Sequence, residues 1–517
     1  MATVAGLDGV LGYLGIPHPC VTVHLLLTLG MLVLGLGSPE ISTLLPIPLY
    51  SCWGGLTPKN LYRVCKNVEL LPETLIDDNR TILECTYQKW QPFSFPGNVL
   101  VGMRVAIVLI AGLCMDIFGR RRSAVAWMGL YFVVSFARAF PPNAESVVFC
   151  VTLEGAAAQA TSIALLMLAT EGSTQTECVR SVCLMLLGHA IGVGAGTPLI
   201  RTFIPSDVYS QMARSLPSLA FVIFIIMLPE SARWSVCRGR IHEATIILKK
   251  SHHMSFDPTM KNKLSALHKE HKQSLAQYNC SGHALRESLQ PLVKSGRLFL
   301  VFFVFLICGL ALGCAASARH LFDPTPYNSF EDRQVAFGAV EFISLLLMGL
   351  IVTRLHVKWV LVSLMSILSV ALLLTPVLKQ ASLDTCGGFV FFSCLGHTSV
   401  VLASVWMSVG VIRLTPTHSR GLVLGSTFCM ATLGHALVHL DLVSIFLSYG
   451  LYLDEYAELG IWAIVTFVAG LLALLLPKTP SSLPDTLSHI MLKPVRQGKT
   501  TAVNRCNHHK NSINTNM

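Results

Sequence analysis

Among the ionisable side chains in or at the ends of otherwise apolar stretches of this 517-residue chain are Arg104, Glu154, His189, Arg319, Glu341, His435, His439 and Asp441. A charge in such a setting is costly unless it is paired, lines a wet cavity or meets a charged ligand, so each is a candidate for binding or relay chemistry. Glu341 and Glu154 would attract a cation, while Arg104 and Arg319 would attract an anionic group. A buried Glu341 could equally be a structural partner of Arg104 or Arg319. His435 and His439 are spaced i,i+4 with Asp441 two residues on, a pattern able to hold a metal ion or relay protons. One helix supplies all three and no Cys/His/carboxylate cluster completes a site, so no metal is expected and hydrogen bonding between helices is the simpler role. Gly192, Gly194 and Gly196 with Pro198 read as close helix packing and bending, because no strand precedes them and no Lys-Ser/Thr follows. With no Walker loop, nucleophile elbow or zinc signature, neither an enzyme nor a cofactor is expected.

The elements that must position these groups follow from composition. The chain is 53% hydrophobic and 13% charged, whereas soluble proteins carry about a quarter charged residues. A helix crossing a bilayer needs roughly 20 apolar residues. Twelve such runs emerge, near 21–37, 97–115, 123–140, 146–169, 179–204, 213–228, 298–318, 335–353, 357–378, 387–411, 421–448 and 459–476. The expected fold is an all-α membrane protein of twelve transmembrane helices in two six-helix bundles. Residues 1–228 form the first bundle with a long loop at 38–96; 229–297 is a polar central loop, 298–477 the second bundle and 478–517 a tail.

Basic residues set the orientation. The central loop carries twelve Lys and Arg against five acids, the tail six against Asp485, and Arg120-Arg121-Arg122, Arg354, Lys358, Arg413 and Arg420 fall on the same side of an alternating path. That side is expected to be cytoplasmic, with both termini, so the net charge of +10 is a topological signal that needs no nucleic-acid partner. Loop 38–96 then lies outside, where Asn79-Arg80-Thr81 is a glycosylation sequon, and Cys52, Cys65 and Cys85 allow one disulfide with one thiol left over. Asn279-Cys280-Ser281 should lie inside, unmodified. The start of the chain lacks the basic opening and cleavage site of a signal peptide, so the first span is expected to be retained.

Two bundles about a central site make a transporter geometry, and the motifs are consistent with it. The segment Gly112-Leu113-Cys114-Met115-Asp116-Ile117-Phe118-Gly119-Arg120-Arg121-Arg122 resembles the loop signature of the major facilitator superfamily. Its glycines allow close contact and a tight turn, and Asp116 can pair with basic groups or a helix N-terminus in one conformation and release them in another. Leu228-Pro229-Glu230-Ser231-Ala232-Arg233-Trp234 followed by Arg238-Gly239-Arg240-Ile241-His242-Glu243-Ala244 resembles the signature of solute carrier family 22. Further matches are Leu7-Asp8-Gly9-Val10-Leu11-Gly12, Val340-Glu341, Thr415-Pro416-Thr417 with Arg420, Leu476-Pro477 and Leu483-Pro484-Asp485-Thr486, so the resemblance runs along almost the whole chain.

The resemblance implies a carrier at the plasma membrane, its partners the lipid bilayer and a small organic ion, moved by alternating access. It makes Glu341, Glu154, Arg104, Arg319 and Thr432 the candidate substrate-binding residues, and Asp116, Gly119, Arg120, Arg121, Glu230, Arg233 and Arg420 the candidate switching residues. Leu345 stands where anion carriers commonly have Lys, and Thr432 where the family has a charged cavity residue, so a cation or zwitterion is favoured. Other departures are Val151 in place of a family Arg, the decayed Thr353-Arg354-Leu355-His356-Val357-Lys358 loop, and Arg413 and Lys478 at acidic family positions. Like charges there are expected to weaken the cytoplasmic latch between the halves. A second reading is therefore open: a transport-deficient, carrier-like receptor or partner-binding membrane protein.

Overall fold

The computed structural model describes residues 21–37, 95–140, 144–173, 177–204, 206–252, 258–277, 284–322, 330–351, 355–380, 388–439 and 455–478. These residues are helical or form short connections, with no strand among them. The expected sites at Asn79, Cys52, Cys65, Cys85, Asn279, Thr353, Arg354 and Asp441 lie outside them.

The first bundle comprises α1 (Val21–Gly37), α2 (Phe95–Phe118), α3 (Arg120–Ala137), α4 (Ala144–Glu171), α5 (Cys178–Phe203) and α6 (Asp207–Met227). Four short helices follow, α7 (Ala232–Cys237), α8 (Ile241–His252), α9 (Pro258–Gln277) and α10 (Ala284–Lys294). The second bundle is α11 (Gly296–Phe322), α12 (Phe330–Ile351), α13 (Val357–Gln380), α14 (Gly388–Leu414), α15 (Arg420–His439) and α16 (Glu455–Leu472).

Eight of these helices are long and apolar enough to cross a membrane, and α1, α12 and α16 contain shorter apolar segments. The twelfth, α3, answers to the apolar run 123–140 and opens on three arginines, which makes it the least apolar of the twelve. It packs along α4 and α6 because Arg120 is neutralised inside the protein instead of facing lipid. Lipid-side residues are large and apolar, among them Phe203, Met227, Ile223, Ile343 and Ile464. The interior is lined by small residues such as Ala156, Ala157, Ala158 and Ala160 of α4. Small residues let spans approach closely where lipid gives no hydrophobic drive between helices.

The halves meet along two seams, α2 on α15 and α5 on α12. At the first, a side chain on Gly112 would run into the carbonyl of Gly421; at the second, a Cβ on Gly194 would lie 2.8 Å from the Cα of Gly338. Helix α5 reaches that contact through a π-helical turn at Gly192–Gly196. The bending expected from its glycines thus takes the form of a widened turn.

The central segment, which sequence suggested only as a polar loop, is largely helical. Ala232, Val236, Ala244, Leu248, Leu264 and Leu267 bury a second, small core of their own beneath the bundles.

Candidate functional site

The end of the bundle bearing residues 116–122 is closed by a buried charge network. Helix α2 ends at Phe118, and Gly119 turns the chain with φ 107° into α3, a left-handed conformation that favours glycine. Glu230 Oε1 caps the start of α3 by accepting from the N–H groups of Arg120 at 2.9 Å and Arg121 at 3.0 Å. Arg121 Nη1 in turn donates to the Leu228 carbonyl at 3.1 Å.

Across the midline, Asp116 accepts from the N–H groups of Gly421 at 3.0 Å and Leu422 at 2.9 Å. It therefore fills the unsatisfied donors at the positive end of α15. The Arg120 guanidinium donates to the Met115 carbonyl at 3.0 Å, to Glu171 Oε1 at 3.0 Å and to the Thr417 carbonyl at 2.7 Å. Its partner oxygen on Glu171 also meets Arg420 Nη1 at 3.4 Å, while Arg420 Nε donates to Thr415 O at 3.1 Å. Arg233 Nε donates to the Glu171 carbonyl at 3.1 Å. Asp116, Arg120 and Arg420 are wholly buried, so removal of any one charge strands another in a dry setting. Three of these links, Asp116 to α15, Arg120 to Thr417 and Glu171 to Arg420, join one half to the other.

The central helices strap this end from below. Trp234 Nε1 at 3.0 Å and Arg238 Nη2 at 2.7 Å donate to the Asp116 carbonyl, and Arg238 pairs with Glu287 at 3.0 Å. Ser288 of α10 donates to the His418 carbonyl at 2.8 Å, and His271 of α9 lies against the His418 ring at 5.2 Å between centroids. His418, in the link between α14 and α15, is held well below the usual imidazole range by burial and then by His271, Arg238, Arg420 and Arg120.

A second polar layer lies near mid-depth. Glu341 of α12 faces His189 of α5 across the second seam, Oε1 to Nδ1 3.5 Å, and both are buried. Glu341 thus meets a histidine, and its Oε2 has no hydrogen-bond partner among the described residues, which do not include the side chain of Arg319. Arg104 of α2 reaches Gln159 of α4 at 3.5 Å. One turn from Glu341, Phe337 stacks on His397 of α14 at 4.6 Å. Thr432 is buried and donates to Phe428 O of its own helix at 3.0 Å.

Glu154 belongs to a different neighbourhood, paired with Arg138 at the far end of α3. Position 319 is near the end of α11, but its side chain and that of His439 lie outside the described residues; His435 is buried in α15. No three-residue His/Cys/Asp/Glu cluster fit for a metal occurs among the described residues.

Comparison with known proteins agrees with this architecture. Residues 99–316 match the sugar (and other) transporter family model. Human solute carrier family 22 member 13 is 25% identical over 408 residues, covering 76% of this chain and 68% of the relative. Rat solute carrier family 22 member 12 is 28% identical over 439 residues, covering 80% and 72%. The proton:xylose symporter XylE bound to 6-bromo-6-deoxy-D-glucose superposes with TM-score 0.65 at 15% identity, covering 90% of this chain and 98% of the other. The human organic anion transporter MFSD10 gives 0.53 at 14% identity, covering 88% and 100%. The chain is similar to transporters of solute carrier family 22 and has the fold of the major facilitators. It is a multi-pass membrane protein of a transporter family, not an enzyme.

For this solute-carrier-type chain the departures now have surroundings. Arg413 is buried with its guanidinium 5.9 Å from the Trp406 ring centre, and Lys478 is exposed beyond α16. The acid that Arg420 meets is Glu171, from the first half. Sequence reasoning passed over Glu171; the only signal was a lone acid at the end of an apolar run facing the Arg120 loop. It also passed over His271, His418 and Arg214, which no motif marks.

Proposed function

We propose that this protein carries a small organic ion, a cation or zwitterion in preference to an anion, across the plasma membrane by alternating access, with both termini cytoplasmic. The observation that carries the reading is the pair formed by Glu341 and His189 across the two halves, with a carboxylate oxygen left for a ligand. A cationic centre would replace His189 as the partner of Glu341, and Arg104 could receive the carboxylate of a zwitterion. Leu345, wholly buried in the core, and Thr432, bonded to its own helix, offer no positive charge to an anion. The relatives include a rat organic cation/carnitine transporter 2, 23% identical over 404 residues, which supports this substrate class.

In this scheme the network of Asp116, Gly119, Arg120, Arg121, Glu230, Arg233 and Arg420 is the cytoplasmic latch, and the described conformation is closed at that end. A ligand drives the switch only by binding the two states unequally. The transport-deficient reading rested on the lost charge network of the second half and on the uncharged Thr432; Glu171 supplies acid to that network from the other half, whereas position 432 remains without charge.

The test is uptake into proteoliposomes of tetraethylammonium, carnitine and an organic anion such as p-aminohippurate. Saturable uptake of one of the first two is expected, and Glu341→Gln should lower it at least about tenfold, a loss of roughly 1.4 kcal/mol. Preferred uptake of the anion, or flux unchanged in Glu341→Gln, overturns the substrate assignment; no saturable flux overturns the carrier reading.

A further inference from the structure

A second buried polar cluster sits in the first bundle, away from the seams. Helix α3 starts at the latch, so its far end, with Arg138, lies at the opposite face of the bundle. There α6 contributes Arg214, which is 4% exposed and donates through Nε to Ser210 O of its own helix at 3.3 Å. Arg214 Nη1 has no hydrogen-bond partner among the described residues. Its electrostatic neighbours are Arg138, Arg201, Glu154 and Tyr131. Glu154 Oε2 is committed to Arg138, and the Gln211 amide nitrogen is committed to the carbonyl and hydroxyl of Ser135. Tyr131 is wholly buried, and the Ser210 hydroxyl is buried without a partner.

Glu154 is the one acid in this field, its Oε1 buried without a hydrogen-bond partner, against the three arginines Arg138, Arg201 and Arg214; a buried excess of positive charge is costly unless an anion offsets it. Two hydroxyls with hydrogens to donate are at hand, Ser210 one turn before Arg214 on α6 and Tyr131 of α3 within its electrostatic reach, both buried without a hydrogen-bond partner among the described residues, and two further arginines add positive field. Arg138 is about a fifth exposed, which leaves a route from the face opposite the latch.

We infer that Arg214, with Tyr131 and Ser210, forms a binding site for one compact anion inside the first bundle, separate from the central site. The anion neutralises Arg214 and ties α3 to α6. The same chemistry is offered by a free inorganic anion or by the phosphate of a membrane lipid, and neither depends on what the carrier moves.

The test uses the full-length protein purified in detergent, followed by thermal unfolding in sodium chloride or sodium gluconate at equal ionic strength. Phosphatidylglycerol or phosphatidylcholine is added to the gluconate samples. A saturable rise in Tm with chloride assigns a free anion; a rise with phosphatidylglycerol alone assigns a lipid phosphate. In either case Arg214→Gln should be insensitive to the anion, and Tyr131→Phe should need several-fold more of it. Should Arg214→Gln fail to fold, Arg214→Lys keeps the charge without the planar fork and should likewise respond only at several-fold higher anion. An equal response in wild type and these variants overturns the site. So does the absence of any response in wild type, which would mean that a carboxylate of the chain itself serves Arg214.

Discussion

Asp116 does two jobs with one side chain and its backbone. Its carboxylate caps a helix of the other half, while its carbonyl receives Trp234 and Arg238 from the strap. Asp116→Asn keeps one acceptor but loses the charge that the α15 terminus favours. A cap loss is worth about 1 kcal/mol, roughly fivefold in an opening equilibrium. Hydrogen exchange at the amides of residues 420–424 should accelerate by at least that factor, since Arg120 also loses a charge partner, and unchanged protection would refute the capping role. The Asp-x-x-Gly-Arg-Arg spacing made Asp116 and Arg120 legible in the sequence, because charge and glycine stand together at a span end. Glu171 was not legible: its significance comes from two arginines brought from positions 51 and 249 residues away, which local pattern does not encode. Glu341 was recognised as an unusual buried acid, yet its partner came from a helix that pairing rules of charge alone did not select.

Elements were the easiest scale to read. Long apolar runs gave the spans, since a bilayer sets their length. The helices of the strap were missed because they are polar on most faces and bury only the small core around Val236, Leu248 and Leu264. That strap carries a pH dependence. His418 is held neutral by burial and by His271 of α9, Arg238 after α7, Arg420 of α15 and Arg120 of α3. An opened end that exposes the ring restores an imidazole value near 6.5. The closed end is thus fully favoured above about pH 6.5 and loses up to about tenfold per unit as the pH falls below it. Exchange protection of residues 415–424, corrected for intrinsic amide chemistry, should drop accordingly between about pH 7 and 5.5. His418→Gln should flatten the profile; an equally steep profile in that variant would exclude His418 as the sensor.

At the scale of the whole molecule, the two halves touch where side chains are missing. Gly194→Val would drive a branched side chain into Gly338 at the second seam. Overpacking of this kind costs about 1–3 kcal/mol, so a drop in Tm of several degrees and fewer molecules reaching the cell surface are expected. Gly129 has open space where a Cβ would go, and Gly129→Ala should match wild type in both measurements. Similar losses for the two variants would show that the seam is not close-packed in solution.

Glu171 is shared between Arg120 of its own half and Arg420 of the other. When that end parts, the carboxylate stays with the arginine beside it, and Arg420 leaves without that acid, keeping its bond to Thr415, together with an α15 terminus that has lost Asp116. The vestibule that forms is therefore electropositive on one wall. Such a wall lowers the local concentration of cations and raises that of anions at this mouth, and it acts on entry and exit alike.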